Sequence, residues 1–194
     1  MIWGIGSFFL GTDTGVHNFT NDIIPYFETF DDEYFILTTD DYVMTNYFNH
    51  DFLAEIIEYV KTVSNFGRMW LMKTPARFYG GGSVIKSFGD YHISEINQSA
   101  EYRLSLQHSI WKTSYFKKYL VPNLNPWQWE LRPSAKYDHA AILLPVNNFV
   151  FSGGHVMVKG KVAPNWHKAI YGDGELGAED IEVVKTILEK HNII

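Results

Sequence analysis

Glu33-Tyr-Phe-Ile-Leu-Thr-Thr-Asp40-Asp41-Tyr-Val-Met44 is an aromatic and aliphatic run that stops abruptly at two adjacent carboxylates. A buried strand produces such a run, and a strand end is where an α/β sheet opens to ligand. Two carboxylates placed there can hold a divalent cation, and the cation can hold phosphate. Paired acids after a strand are more often a solvated turn or a helix cap. The rigidity of a strand end is what favours the metal reading here.

Working outward, the flanks supply interleaved helix and strand patterns. Asn18 or Thr20 can cap a helix through Phe27, with Ile23, Ile24 and Phe27 inward. Phe52, Leu53, Ile56, Ile57 and Val60 recur at helical spacing between Asp51 and Val63, with Asn49 or Asp51 as cap and Asn65-Phe66-Gly67 as stop. Residues 113–120 and 126–130 read as short helices, and 178–190 as a terminal one with Ile181, Val184, Ile187 and Leu188 inward. Strands are expected at 3–10, 33–39, 68–72, 93–95, 103–106, 140–144, 149–151 and 156–158. Gly80-Gly-Gly82 reads as a turn, and Gly153-Gly154 as a break. The pattern predicts an α/β fold, a single domain over 1–194 with a mixed sheet flanked by helices. It contains no internal repeat or low-complexity linker.

The 194 residues suffice for one sizeable core, and a hydrophobic share of 46% excludes a disordered chain. Aromatic residues make up 16%. Most rings are expected in the core, although rings also stack on sugars and bases. A net charge of −6 and the lack of any basic run denser than Lys117-Lys118 argue against unassisted nucleic-acid binding. The absence of cysteine removes disulfides, thiolate metal sites and a cysteine nucleophile. No apolar run approaches the ~20 residues that span a bilayer, and the start lacks the basic region of a signal peptide.

Three further stretches carry chemistry. Ser105-Leu-Gln107-His-Ser-Ile-Trp111-Lys places Gln107 and Trp111 four apart, as on one helix face. Trp111 suits a core, Gln107 needs partners if buried, and His108 can be a ligand or a base. Asn125-Pro-Trp127-Gln-Trp-Glu130 has the cap and first-turn proline of a helix, so Trp127 and Glu130 share a face. An indole beside a carboxylate can hold a sugar, and a partly desolvated glutamate suits a general base. The plainer reading is a hydrophobic anchor beside an exposed acid. Gly11-Thr-Asp13-Thr-Gly15 is a loop with a single acid. Gly80-Gly-Gly82 lacks the lysine of a phosphate loop, and His139, His155 and His167 lack zincin spacing. A metal-dependent hydrolase using Asp40, Asp41 and His139 or His155 is a poorer alternative.

In this order and spacing, the segments around Asp13, Asp40-Asp41, Ser105 to Trp111 and Trp127 to Glu130 resemble bacterial and phage glycosyltransferases of the GT-A type, over about residues 10 to 165. The resemblance implies a truncated GT-A, Rossmann-like architecture. It also implies transfer of a sugar from a nucleotide-sugar donor to a hydroxyl acceptor in the cytoplasm (the host's, for a phage protein). It gives Asp40 and Asp41 the divalent cation, Mn or Mg, and with it the donor diphosphate. It gives Gln107, Trp111, Trp127 and Asp13 to the substrates and Glu130 the role of base. The family carries a further N-terminal stretch that forms much of its nucleotide pocket, and little precedes Gly11 here. Completion by a second chain or a homo-oligomer is therefore expected. The alternative is a non-catalytic binding or assembly protein that keeps the scaffold. No membrane span is implied, and nucleic acid enters only as a modified acceptor.

Overall fold

A computed structural model describes residues 18–39, 42–72, 83–146, 150–158, 161–162 and 178–190. The expected strand at 3–10, the Gly11 loop with Asp13, the Asp40-Asp41 pair and the Gly80 turn lie outside them. The helices follow their caps and apolar spacing. Helix α1 (Phe19–Thr29) buries Thr20, Ile23 and Phe27, although Asn18 before it makes no side-chain cap. Helix α2 (His50–Thr62) starts where the Asn49 side chain accepts the Phe52 N–H at 3.0 Å, and buries Phe52, Ile56 and Val60 at four-residue intervals. Helix α3 (Thr113–Tyr119) buries Tyr115, Phe116 and Tyr119. Helix α4 (Pro126–Glu130) begins in a reciprocal box: Asn125 accepts from the Gln128 N–H, and Gln128 accepts from the Asn125 N–H. Helix α5 is Ala178–Lys190, with Val184 and Leu188 buried.

The strands are β1 (Tyr34–Leu37), β2 (Tyr42–Phe48), β3 (Phe66–Trp70), β4 (Ser83–Phe88), β5 (Tyr91–Glu95), β6 (Ser109–Lys112), β7 (Ala141–Pro145), β8 (Phe151–His155), β9 (Met157–Val158) and β10 (Lys161–Val162). Six form one sheet in the order β1-β6-β3-β7-β5-β4. Only the central β3–β7 pair is parallel, so the sheet is mixed as expected. Alternate residues of β7 face opposite cores. Ile142 and Leu144 pack with α1, α3 and α4 residues on one side, and Ala141 and Leu143 with α2 residues on the other. The chain is thus α/β, with helices on both faces of a mixed sheet. Strands β2 and β8 form a separate antiparallel pair, as do β9 and β10.

Several expectations are corrected. Strand β1 is half-buried rather than buried, with Ile36 46% exposed. Among the described residues it pairs only with β6, at the sheet edge, so its apolar run reflects one covered face and not two. Residues 66 and 67 do not stop α2; they open β3, which starts four residues after the helix ends. Residues 103–106 are not a strand: 103 and 104 complete a turn that begins at 101, and 105 and 106 are irregular, with Tyr102 at φ 56° and the Ser105 N–H returning to the Tyr102 carbonyl. The Gln107–Trp111 spacing is not helical, because Ser109–Lys112 is strand β6. Gly153 and Gly154 do not break a strand but lie within β8, opposite Met44 and Val43 of β2. Neither β2 nor β4 was expected. Strand β4 is exposed from Ser83 to Ser87, with only Phe88 packed against the core, and so leaves no apolar alternation to read.

Candidate functional site

The loop segment Leu106-Gln107-His108 enters β6 and holds three elements together. The Leu106 N–H donates to Glu130 Oε1 at 2.6 Å, so the end of α4 is tied to its first residue. The Gln107 amide oxygen accepts from Trp70 Nε1 at 3.1 Å, which gives the half-buried amide the partner it requires. His108 is fully buried, and its Nδ1 accepts from the Thr39 N–H at 3.3 Å. Thr39 is the residue that precedes Asp40 in the sequence. The chain leading into the acidic pair and the Glu130 carboxylate are therefore both anchored within a single tripeptide.

Beneath that tripeptide lies Arg68, fully buried in the middle of β3. Its guanidinium carbon stands 3.7 Å from the Trp70 ring centre and 5.0 Å from that of Trp111, within cation–π range. Its Nε donates to Ser109 Oγ at 2.9 Å, and its terminal nitrogens reach toward the Tyr102 and Gln107 carbonyls. Burial pulls the guanidinium pKa down from its ordinary value, while the negative charge of Glu130 and the Tyr115 hydroxyl oppose that pull. Among the described residues Arg68 makes no ion pair, so Glu130 acts on it through space. The sequence signal for this residue is an arginine inside the apolar run Phe66-Gly-Arg-Met-Trp70.

The predicted site residues separate into groups. Glu130 and Gln107 are brought together around residues 106–108. Trp127 sits one helical turn before Glu130 and is 52% exposed, whereas Trp129 is the indole that fills the core, its Nε1 donating to the Tyr119 carbonyl. Trp111 is 0% exposed, packed against Phe116 and Trp129, so it supports the site through packing under Arg68 and not by touching solvent. Asp13, Asp40 and Asp41 lie outside the described residues. Among the described residues no three His, Asp or Glu side chains converge in a way that could hold a metal ion. His139 takes a left-handed backbone conformation and is exposed.

A cleft of about 270 Å³ opens beside Glu130, lined also by Tyr102, Arg103, Arg132 and Lys136. Its floor is braced by a polar network. Arg103, 1% exposed, donates to Asp138 Oδ1 at 2.8 Å and to the Ala135, Asn97 and Ala140 carbonyls. Tyr119 donates its hydroxyl to Asp138 Oδ2. Burial pushes the Asp138 carboxyl up, but bonds from the Tyr119 hydroxyl, the Ala140 N–H and Arg103 outweigh it and hold the group below the usual carboxylate value. Burial, with the Asp138 charge added, lifts the Tyr115 and Tyr119 hydroxyls well above the ordinary tyrosine range.

Among the described residues no helix is long and apolar enough to cross a membrane. No protein-family model, curated protein or solved structure matches the chain.

Proposed function

We propose that the chain is a metal-dependent glycosyltransferase with a truncated GT-A-like architecture, moving a sugar from a nucleotide-sugar donor to a hydroxyl acceptor. The observation that supports this reading is the convergence on residues 106–108. The Thr39 backbone and the Glu130 carboxylate are tied to positions two apart, which is what a donor site at Asp40-Asp41 facing a base at Glu130 needs. Adjacent carboxylates are hard oxygen donors suited to Mg or Mn, and that fit of donor type favours Asp40 and Asp41 as the cation's ligands. A bound cation would offset the charge that develops on the leaving diphosphate.

The chain's own residues do the rest. Glu130 takes the proton of the acceptor hydroxyl as that oxygen attacks the anomeric carbon. Its Oε1 accepts from the Leu106 N–H, which fixes the carboxylate at the end of α4. Trp127, exposed on the same helix, offers a ring face to a sugar. Gln107 and Trp111 keep β6 and the Arg68 layer in register beneath, and Asp13 belongs to the donor side by the resemblance alone.

The test is to incubate the protein with Mn and a panel of nucleotide sugars, alone and with the products of neighbouring genes, and to follow donor hydrolysis and thermal shift. Metal-dependent turnover or stabilisation by one donor, abolished in Asp40→Asn and Asp41→Asn, is expected. No response to any donor overturns the reading.

A further inference from the structure

The geometry points to the cleft beside Glu130 as a binding site for a sugar-sized anion, whose carboxylate or phosphate is held by Arg132 and Lys136. At about 270 Å³ the cleft falls just short of the ~300 Å³ at which pockets for drug-sized ligands begin, so it suits one sugar ring rather than a nucleotide. Three cations line it, and they differ in what they have left to offer. Arg103 is committed, with its guanidinium bonded to Asp138 and to three backbone carbonyls. Arg132 donates Nη1 to the Tyr119 carbonyl at 3.2 Å, a neutral acceptor. Neither Arg132 nor Lys136 makes an ion pair among the described residues, and both are half-buried.

Two half-buried cations that make no ion pair among the described residues, together with Arg103, give this concavity three positive side chains against two carboxylates, in a chain with net charge −6. Partial desolvation strengthens their pull on an anion relative to cations in open water. Arg132 keeps forked donors for a carboxylate or phosphate, and Lys136 adds a point charge. Glu101 and Glu130 line the same cleft, and their carboxylates repel a bare anion but accept hydroxyl protons. A ligand that carries both a negative group and hydroxyls satisfies the cations and the carboxylates together. Leu131, 45% exposed, leaves apolar surface for its ring carbons. The inference needs neither metal nor donor, so it stands or falls separately from the transferase reading.

The test is an NMR titration of the ¹⁵N-labelled full chain, without metal or nucleotide sugar, using glucuronate, glucose 6-phosphate, glucose and inorganic phosphate. Expected are shifts of amides in 100–103 and 130–136 with glucuronate or glucose 6-phosphate. The tighter of the two decides between carboxylate and phosphate. Glucose should bind at least tenfold more weakly. Lys136→Gln, whose side chain makes no hydrogen bond or ion pair among the described residues, should weaken the anionic sugar at least fivefold. Arg132→Gln, which can still donate to Tyr119, should do the same. The inference is overturned if glucose binds as well as glucuronate or if inorganic phosphate binds as tightly as glucose 6-phosphate. Unchanged affinity in Lys136→Gln, or no shift of these amides by any probe, overturns it equally.

Discussion

The backbone N–H of Thr39 points at Nδ1 of His108, 3.3 Å away and 69 residues distant in sequence. An accepting Nδ1 requires the neutral ring with its proton on Nε2. Beyond Leu37 the chain has left the β1–β6 ladder, so this side chain takes over from the sheet in fixing the backbone that leads to the acidic pair. The nearby Glu130–Leu106 bond does the same for α4. Two elements that share no ladder are thereby located by one tripeptide.

Replacing His108 tests that relationship. His108→Asn keeps an acceptor near the Nδ1 position, whereas His108→Leu removes it and leaves the Thr39 N–H to be satisfied elsewhere. The bond is long, so the expected cost in His108→Leu lies at the low end for an unmade buried bond, about 1 kcal/mol, and less in His108→Asn. Urea denaturation reads the stability, and amide exchange at Thr39 reads the bond itself. Equal exchange in wild type and His108→Leu would show that the contact contributes nothing.

Gly67 is a position where a methyl group does not fit. A Cβ there would lie 3.0 Å from two Tyr115 ring carbons and 3.0 Å from Ile142 Cδ1. The site coincides with the register shift between Phe66 and Arg68, where β3 carries one residue more than β7. Gly67→Ala is expected to cost about 1–3 kcal/mol through overpacking, measured by chemical denaturation. Ile142→Val removes the offending Cδ1 atom, so the double variant should be less destabilised than the two single losses summed. Simple additivity would place the strain elsewhere.

The Asp138 network gives a pH dependence with a definite sign. Its folded carboxyl titrates below the unfolded value of ~3.9. The stability it contributes is therefore present above that value and lost as pH falls through the folded one. Asp138→Asn should cost about 3–5 kcal/mol at pH 7, because it leaves the buried Arg103 charge without its partner. The same variant should lose less stability than wild type between pH 5 and pH 2. Parallel curves for the two proteins would remove Asp138 as the source of the acid sensitivity.

How much of this could be read from the sequence depended on whether the cause was local. Asn49 before α2 and the Asn125-Pro126 start of α4 were legible because a cap and its helix lie within a few residues. The α3 boundaries were equally accessible. The edge position of β1 was not, since Tyr34-Phe-Ile-Leu37 is apolar whether one face or two are covered, and only its pairing with β6 decides. The four-residue spacing of Gln107 and Trp111 suggested a helix, but the fold assigns them to a loop and a strand. The motifs around Gln107 and Glu130 were visible as separate stretches, but the Leu106–Glu130 bond that joins them was not, and the buried Arg68 gave no motif at all. Its place between two indoles is set by contacts across β3 and β6 that no local pattern encodes. Trp127 and Trp129 are equivalent by composition; the fold puts Trp129 in the core and leaves Trp127 outside.

Glu130 has two separable duties, and its variants can tell them apart. As a hydrogen-bond acceptor it holds the Leu106 N–H at 2.6 Å, and as a carboxylate it can take a proton. Glutamine keeps the first and abolishes the second, since its amide oxygen still accepts. Alanine abolishes both. If Glu130 is the base of a transferase, Glu130→Gln should retain nearly the wild-type melting temperature and lose about 10²–10⁴-fold in kcat. Glu130→Ala should lose the same activity and about 1–3 kcal/mol of stability as well, because it strands the Leu106 amide. The two roles also differ in their response to pH. A base must be ionised to act, so the wild-type rate should fall on acidification, while the residual rate of Glu130→Gln should lack that limb. Full activity in Glu130→Gln, together with instability in Glu130→Ala, would leave Glu130 as a structural clamp on residues 106–108 and move the search for a base to another side chain.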